Sequence, residues 1–401
     1  MRFARLLAST LLALVLGAAA SAAIPGQVAA SDSGAWTQFH YAATRSGYDP
    51  LETTLNPGNV GRLAVRWQTA LDGSDLNTPL VSGGRVFVLD SSGKLSALRQ
   101  SDGRKIWSSV VGFALDSTPA LWKDFVITPG NDASGPFVAA LDVATGARHW
   151  RMRLSVDQYA SITEPAIFGD SVYIAAGTGI YALSASSGRV LWRTRLTTSP
   201  DGVVEGPVAV SGYGEFVVAA GADGHVYALD AKTGKVQWNV VAGAGIDHGG
   251  PAIYSGIVYV PEGRSASEGG GFDICALQVS DGRLLWRGYA GDDVHVTPAA
   301  GQGMVFIGSI DEGVRALNSK TGALLWSAEY IGEVWGAPML ANGVVYVGTD
   351  QQLVAYNAVT GALLYQSDTT TTLASWASPA VVNGRVYMGS GDNRVMVLGL
   401  P

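Results

Sequence analysis

Short apolar runs, each closed by a turn residue, succeed one another along this chain. Val86-Phe87-Val88-Leu89, Val344-Val345-Tyr346-Val347 and Val386-Tyr387-Met388 are examples, each preceded by Gly83-Gly84, Asn342-Gly343 or Asn383-Gly384. Runs of this length bounded by residues that accept a positive φ read as strands joined by hairpin turns. A longer pattern overlies them. Ala-Leu, a turn ending in Gly, and a strand ending in an aromatic recur at Ala97…Gly103…Trp107, Ala140…Gly146…Trp150, Ala182…Gly188…Trp192 and Ala228…Gly234…Trp238. The series continues at Ala276…Gly282…Trp286, Ala316…Gly322…Trp326 and, with Ala-Tyr, at Ala355…Gly361…Tyr365. Counted from Trp67, the aromatics are 39 to 48 residues apart. A period in the forties with four short strands per unit predicts propeller blades.

Each unit opens at an X-Pro step, which can begin a strand but not sit inside one. The eight steps are Thr78-Pro79, Thr118-Pro119, Glu164-Pro165, Gly206-Pro207, Gly250-Pro251, Thr297-Pro298, Ala337-Pro338 and Ser378-Pro379. The eighth unit lacks a fourth strand, and Leu63-Ala64-Val65-Arg66-Trp67 precedes the first step as an unassigned one. The expectation is an all-β, eight-bladed propeller whose last blade is closed by this N-terminal strand, which removes the exposed sheet edges. The repeated Trp and Gly residues are then packing and turn residues, not catalytic ones. Residues 61–401 are expected to form one propeller, with residues 23–60 an extension packed on it.

Residues 1–22 read as a cleaved export signal: Arg2 and Arg5, an apolar run from Leu6 to Leu16, and a small-residue site at Ala20-Ser21-Ala22. The apolar run is short for a membrane span. Loss of Arg2 and Arg5 takes the formal charge from −7 to about −9, which argues against nucleic acid or an anionic membrane as partner. With 52 Gly and only 15% charged residues, composition agrees with a turn-rich β chain. The single cysteine, Cys275, excludes an internal disulfide and a multi-cysteine metal site. Its Ile-Cys-Ala-Leu context reads as a buried apolar position. With no cysteine near the signal, a lipid-anchored terminus is not expected.

Topology places the loops that join successive blades, and those that join second to third strands, on one face. The tight Gly turns lie on the other. Two insertions, Pro129 to Pro136 and Pro261 to Asp273, are expected on the first face, which marks it for binding. The Glu268-Gly269-Gly270-Gly271 stretch lacks the spacing of a phosphate loop. Segments before the X-Pro steps should point toward the axis there. They carry Asp75, Asn77, Asp116, Tyr159, Glu164, Glu205, Asp247, His248, Asp293, His295, Glu333, Trp335 and Trp376. Carboxylates suit a hard cation, and carboxylate with imidazole suits ligand binding or a general base. The alternative role is to bridge neighbouring blades.

The repeat Leu141-Asp142…Thr145-Gly146…Trp150 and Leu229-Asp230…Thr233-Gly234…Trp238 resembles the blades of pyrroloquinoline-quinone (PQQ) dehydrogenases and their cofactor-free relatives. Trp36-Thr37-Gln38-Phe39, Thr44-Arg45-Ser46-Gly47 and Leu55…Asn59-Val60-Gly61-Arg62-Leu63…Trp67 are similar to the openings of quinone-dependent alcohol and polyvinyl-alcohol dehydrogenases. The resemblance implies PQQ and calcium. Glu164, Asp247 or Asp293 would be the catalytic group, Glu164, Glu205, Asp247 and Asp293 the calcium ligands, and Glu205, His248, His295, Trp335 and Trp376 the cofactor contacts. The methanol-type enzymes also use a disulfide of adjacent cysteines and a Trp-Asp motif, and this chain has neither. A second branch, the lipoprotein scaffold of the outer-membrane assembly machine, has eight blades and no cofactor. The leading expectation is therefore a secreted binding or scaffold propeller whose loop-rich face takes a protein, glycan or small ligand. The alternative is a PQQ- and calcium-dependent alcohol dehydrogenase, with a hydrolase or lyase on the same funnel as a third class.

Overall fold

The computed structural model describes residues 35–401 apart from 74, 114–116, 157–159, 198–202, 244, 246–248, 263–273, 290–293, 310–312, 329–331, 369–376 and 391. The expected signal at 1–22 and the insertion after Pro261 fall outside the described residues, the latter almost wholly.

Eight antiparallel four-stranded sheets form the ring, and one of them gains a short parallel fifth strand, Tyr48–Asp49. The first blade comprises Leu80–Ser82, Arg85–Leu89, Lys94–Arg99 and Lys105–Val110. Pro79, Pro119, Pro165, Pro251, Pro298, Pro338 and Pro379 each stand directly before an innermost strand, and in the fourth blade Val208 intervenes after Pro207. The eighth blade pairs Arg394–Gly399 with Ala64–Ala70, with Trp67 opposite Val397 and a bulge between Val65 and Trp67. The expected closure by the N-terminal strand is therefore the observed one.

The repeat exists because seven of the eight blade junctions are built alike, on one indole and one turn glycine. Trp67 Nε1 donates to the Gln100 carbonyl at 2.9 Å, and Trp107 Nε1 to the Val143 carbonyl at 3.0 Å. Trp150, Trp192, Trp238, Trp286 and Trp326 do the same to Ala185, Ala231, Val279, Ser319 and Ala358. Beneath each indole lies the turn glycine of the following blade. At Gly146 (φ 71°) an added β-carbon would stand 2.5 Å from Trp107 Cε3. Only glycine tolerates both that approach and that φ. Asp142 and Asp230 cap the same turn, each accepting the backbone N–H and hydroxyl of the threonine three residues on.

One expected loop is not a loop. Residues 129–136 continue the hairpin Phe125–Asp132 and Gly135–Asp142, with Pro129 opposite Val138 and Asp132 opposite Gly135. Pro129 sits mid-strand and starts no new segment. The second blade thus carries a longer ribbon where an insertion was expected.

Residues 36–52 do something the repeat does not predict. They pass the innermost strands in order and bond to each, covering edge groups that a propeller otherwise leaves open. Trp36 exchanges backbone bonds with Val81, Thr37 accepts from Leu121 N–H, and the Gln38 side chain bonds the Ile167 backbone. Ala43, Thr44, Ser46 and Gly47 accept from Val210, Ile253, Ala300 and Leu340. Glu52 then accepts from Gly384 N–H at 2.8 Å in the eighth blade. Each bond is to a residue near the Gly-turn end of its strand, so the segment closes the axis from that side. His40, Arg45 and Trp36 are fully buried in it. Gly47 (φ 59°) is required, because a β-carbon there would lie 2.5 Å from His40 Nε2.

The end of this segment carries a pH dependence. Asp49 is buried beside Glu52 and accepts from Leu51 N–H at 2.7 Å. Desolvation, aided by the Glu52 charge, raises its carboxyl to about 6 from 3.8. A raised carboxyl costs nothing below pH 3.8. The cost grows as pH climbs to about 6 and stays constant above, at about 3 kcal/mol. Asp49→Asn keeps an acceptor for Leu51 and removes that cost. The variant should match wild type in urea near pH 4 and exceed it at pH 7.5. A constant difference across that range would remove Asp49 as the titrating group.

Candidate functional site

On the axis, at the X-Pro ends of the innermost strands, lies a cavity of about 340 Å³. Of the residues expected at the funnel, Glu164, Glu205, His295 and Trp335 all line it, together with Asn77. They come from different blades, each placed by its position just before an X-Pro step. Asp116, Tyr159, Asp247, His248, Asp293 and Trp376 lie outside the described residues. Asp75 and Glu333 are described but are not part of the lining.

Glu333 instead holds a wall in place. Its Oε2 accepts from Trp335 Nε1 at 2.8 Å, and its own N–H donates to Asp350 Oδ1 at 2.9 Å. The Trp335 ring faces the His295 ring at 6.0 Å between centroids and 24° between planes. A flat aromatic wall and an imidazole thus stand in the cavity with the Glu164 and Glu205 side chains. Asn77 also bridges two blades, as Nδ2 donates to the Ser117 carbonyl at 3.2 Å.

The floor comes from the threaded segment. Phe39 lines the cavity, and the Arg45 guanidinium lies 5.6 Å from its ring centre. Arg45 donates to the carbonyls of Val208, Phe39 and Glu164 at 3.1, 2.6 and 3.1 Å. Burial lowers its pKa to about 10 against the opposing pull of Glu164, so it stays charged at neutral pH. His40 lies between the Arg45 and Pro338 carbonyls at 2.7 and 2.8 Å, and burial takes it down to about 4.

Sequence reasoning missed a circle of hydroxyls around the same axis. Thr297 accepts from Gly250 N–H, Ser378 from Ala337 N–H, and Thr78 from Ser378 N–H, each bond crossing from one blade to its neighbour. Ser117 donates across to Ile162. The signal was present: four of the eight residues before the prolines are Thr or Ser. Bridging, rather than ligand binding, is the geometry these hydroxyls show.

The donor set tests the quinone and calcium that the resemblance implies. Among the described residues no group of three or more His, Cys, Asp or Glu could hold a metal ion. The described lining contains two carboxylates and no Lys or Arg side chain to meet the carboxylates of PQQ. Cys275 is buried in the strand Ile274–Gln278, and burial pushes its thiol well above the usual range. Asp247, His248, Asp293 and Trp376, which the resemblance names for that pair, lie outside the described residues, so the described lining carries Glu164, Glu205, His295 and Trp335 as its part of the implied donor set. No helix among them is long and apolar enough to cross a membrane.

Comparison with known proteins agrees with the geometry at the level of fold. The outer membrane protein assembly factor BamB of Yersinia pestis is 28% identical over 213 residues, covering 49% of this chain and 51% of that protein. The tetrathionate hydrolase of Acidithiobacillus ferrooxidans is 25% identical over 295 residues, covering 60% and 56%. The chain thus spans little more than half the length of these curated relatives. The quinohemoprotein alcohol dehydrogenase ADHIIG of Pseudomonas putida superposes with a TM-score of 0.71 at 15% identity, covering 92% of this chain and 80% of that one. At that identity the likeness speaks for the propeller alone. A family model described as outer membrane protein assembly factor BamB matches residues 63–133, 135–294 and 273–400, nearly the whole ring, so the chain belongs to that family of PQQ-like repeat propellers.

Proposed function

We propose that this chain is an exported binding or scaffold propeller. Its loop-rich face receives a protein, glycan or small ligand, and the axial cavity seats a small polar group of that ligand. The observation that carries this reading is the meeting of Glu164, Glu205, His295 and Trp335 in one cavity floored by Phe39. An aromatic wall, an imidazole and two carboxylates suit a polar ligand with one flat face. Family membership favours a protein partner, since its description names an assembly factor. In this reading residues 1–22 direct export, residues 23–60 dock on the ring, and residues 61–401 form it.

A titration separates this from the dehydrogenase. Wild type, Trp335→Ala and Glu164→Gln are mixed with simple sugars, short peptides, or PQQ with calcium chloride. Melting temperature and dye reduction with primary and secondary alcohols are followed. A sugar or peptide that raises the melting temperature of wild type should bind Trp335→Ala at least about tenfold more weakly. Dye reduction dependent on PQQ, calcium and Glu164 would replace the binding reading with the enzymatic one.

A further inference from the structure

A second chamber of about 660 Å³ lies beside the axial cavity, meeting it at Ser161 and Glu205. Arg193 and Arg195, from the outermost strand Val190–Arg195 of the third blade, line it with Ser155 and Thr178. Alternate residues of a strand face the same way, so both guanidinium groups reach one side of the sheet. Both are held in place. Arg193 lies 5.1 Å over the Tyr181 ring, whose hydroxyl donates to the Ser155 carbonyl at 3.2 Å. Arg195 Nε donates to the Thr197 carbonyl at 2.9 Å. Among the described residues, neither forms an ion pair with a carboxylate.

The second blade shows what such a pair is for. Arg151 and Arg153 follow Trp150 by one and three residues, as Arg193 and Arg195 follow Trp192. There the two arginines grip a single carboxylate. Arg151 Nη2 donates to Asp132 Oδ2, and Arg153 donates to Asp132 Oδ1 at 3.2 Å. Those bonds hold the Asp132 carboxyl well below the usual carboxylate range. Asp132 is supplied by the longer hairpin ribbon of the second blade. The third blade turns earlier, at Gly177-Thr178 between Ser171–Ala176 and Gly179–Ser184, and presents no acidic residue there.

We propose that the arginine pair of the third blade is a binding site for the carboxylate of a small organic acid, which occupies the place that Asp132 fills in the second blade. Forked guanidinium donors match a carboxylate in two directions, which favours it over a spherical anion. Glu205 on the shared wall repels a second negative charge. The site therefore prefers a monocarboxylate over a dicarboxylate of the same length, and an acid bound here would extend toward the axial cavity.

The probes are acetate, succinate and sulfate, titrated into the full chain by calorimetry at fixed ionic strength, with chloride as the balancing salt. Acetate should bind saturably to wild type, and succinate and sulfate more weakly. Arg193→Gln and Arg195→Gln should each weaken acetate by roughly ten- to a hundredfold, the loss of a charge-assisted bond. Thr178→Asp, which rebuilds an internal carboxylate at the turn, should abolish acetate binding while the circular dichroism spectrum stays native. Saturable acetate binding that survives unchanged in the Arg193→Gln, Arg195→Gln double variant would overturn the assignment. So would sulfate binding more tightly than acetate, or no saturable binding by wild type.

Discussion

Replacing Arg45 with methionine should lower the stability of the ring by about 3–5 kcal/mol, the largest loss expected from any single side chain of the threaded segment. The guanidinium is fully buried and joins three carbonyls from three parts of the chain: Phe39 beside it, Glu164 in the third blade and Val208 in the fourth. Methionine matches much of the volume but donates nothing. Three buried carbonyls then lose their donor, at roughly 1–3 kcal/mol each before relaxation. Relaxation is restricted because the neighbouring backbone is already bonded to the innermost strands on either side. Arg45→Lys keeps the charge but places its donors at one point, so it should fall between wild type and Arg45→Met. Urea unfolding of the full chain reads the difference. A midpoint for Arg45→Met within about 1 kcal/mol of wild type would mean that water reaches those carbonyls and that the floor of the cavity is not closed.

That arginine also marks the boundary of what the sequence discloses. The blades were legible because they repeat: the Trp107 indole and the Gly146 turn recur seven times, and the proline of the Pro165 strand start eight times. The closing strand was legible by counting, since one unit lacked a strand and one strand lacked a unit. Residues 36–52 obey no period. His40, Tyr41 and Arg45 take positive φ, and the bonds of the segment reach partners up to 332 residues away. Nothing in the local pattern encodes such contacts, because each is set by where the ring places a strand edge. The funnel residues occupied the middle ground. Position before an X-Pro step sufficed to bring Glu164, Glu205, His295 and Trp335 together. It did not disclose that Glu333 would turn aside to hold the Trp335 indole, nor that Ser378 and Thr297 would use their hydroxyls between blades. The arginine pairs were invisible for another reason. Their significance lies in the contrast between two blades, one with Asp132 and one without, and the longer hairpin that creates the contrast reads in the sequence as a loop insertion.

Locking the ring covalently at its seam should stabilise it by about 3–5 kcal/mol. Ala70 and Arg394 face each other across the pairing of Ala64–Ala70 with Arg394–Gly399. Directly opposed residues of antiparallel strands have Cα atoms about 4.5–5.5 Å apart, within the range a disulfide spans. Ala70 is exposed and the Arg394 side chain is 43% exposed, so an oxidant reaches both positions. The ion pair of Arg394 with Asp392 is equally exposed and contributes little. Cys275 is buried and does not compete. In Ala70→Cys, Arg394→Cys the crosslink encloses the chain from 70 to 394, 324 residues further on. Loop-closure entropy grows with enclosed length, so a bond across this seam restrains the unfolded chain more than one inside any single blade. The reduced double variant should unfold at nearly the wild-type urea concentration. The oxidised form should unfold at a clearly higher one, more slowly, and revert on adding dithiothreitol. If the seam is the point where the ring opens first, the unfolding rate should fall more than the folding rate rises, because the crosslink then blocks the opening step itself. Two thiols that stay free under oxidant would mean that the strands are not in this register. An oxidised form no more resistant than the reduced one would mean that unfolding begins within a blade and that closure by the N-terminal strand is not what holds the ring.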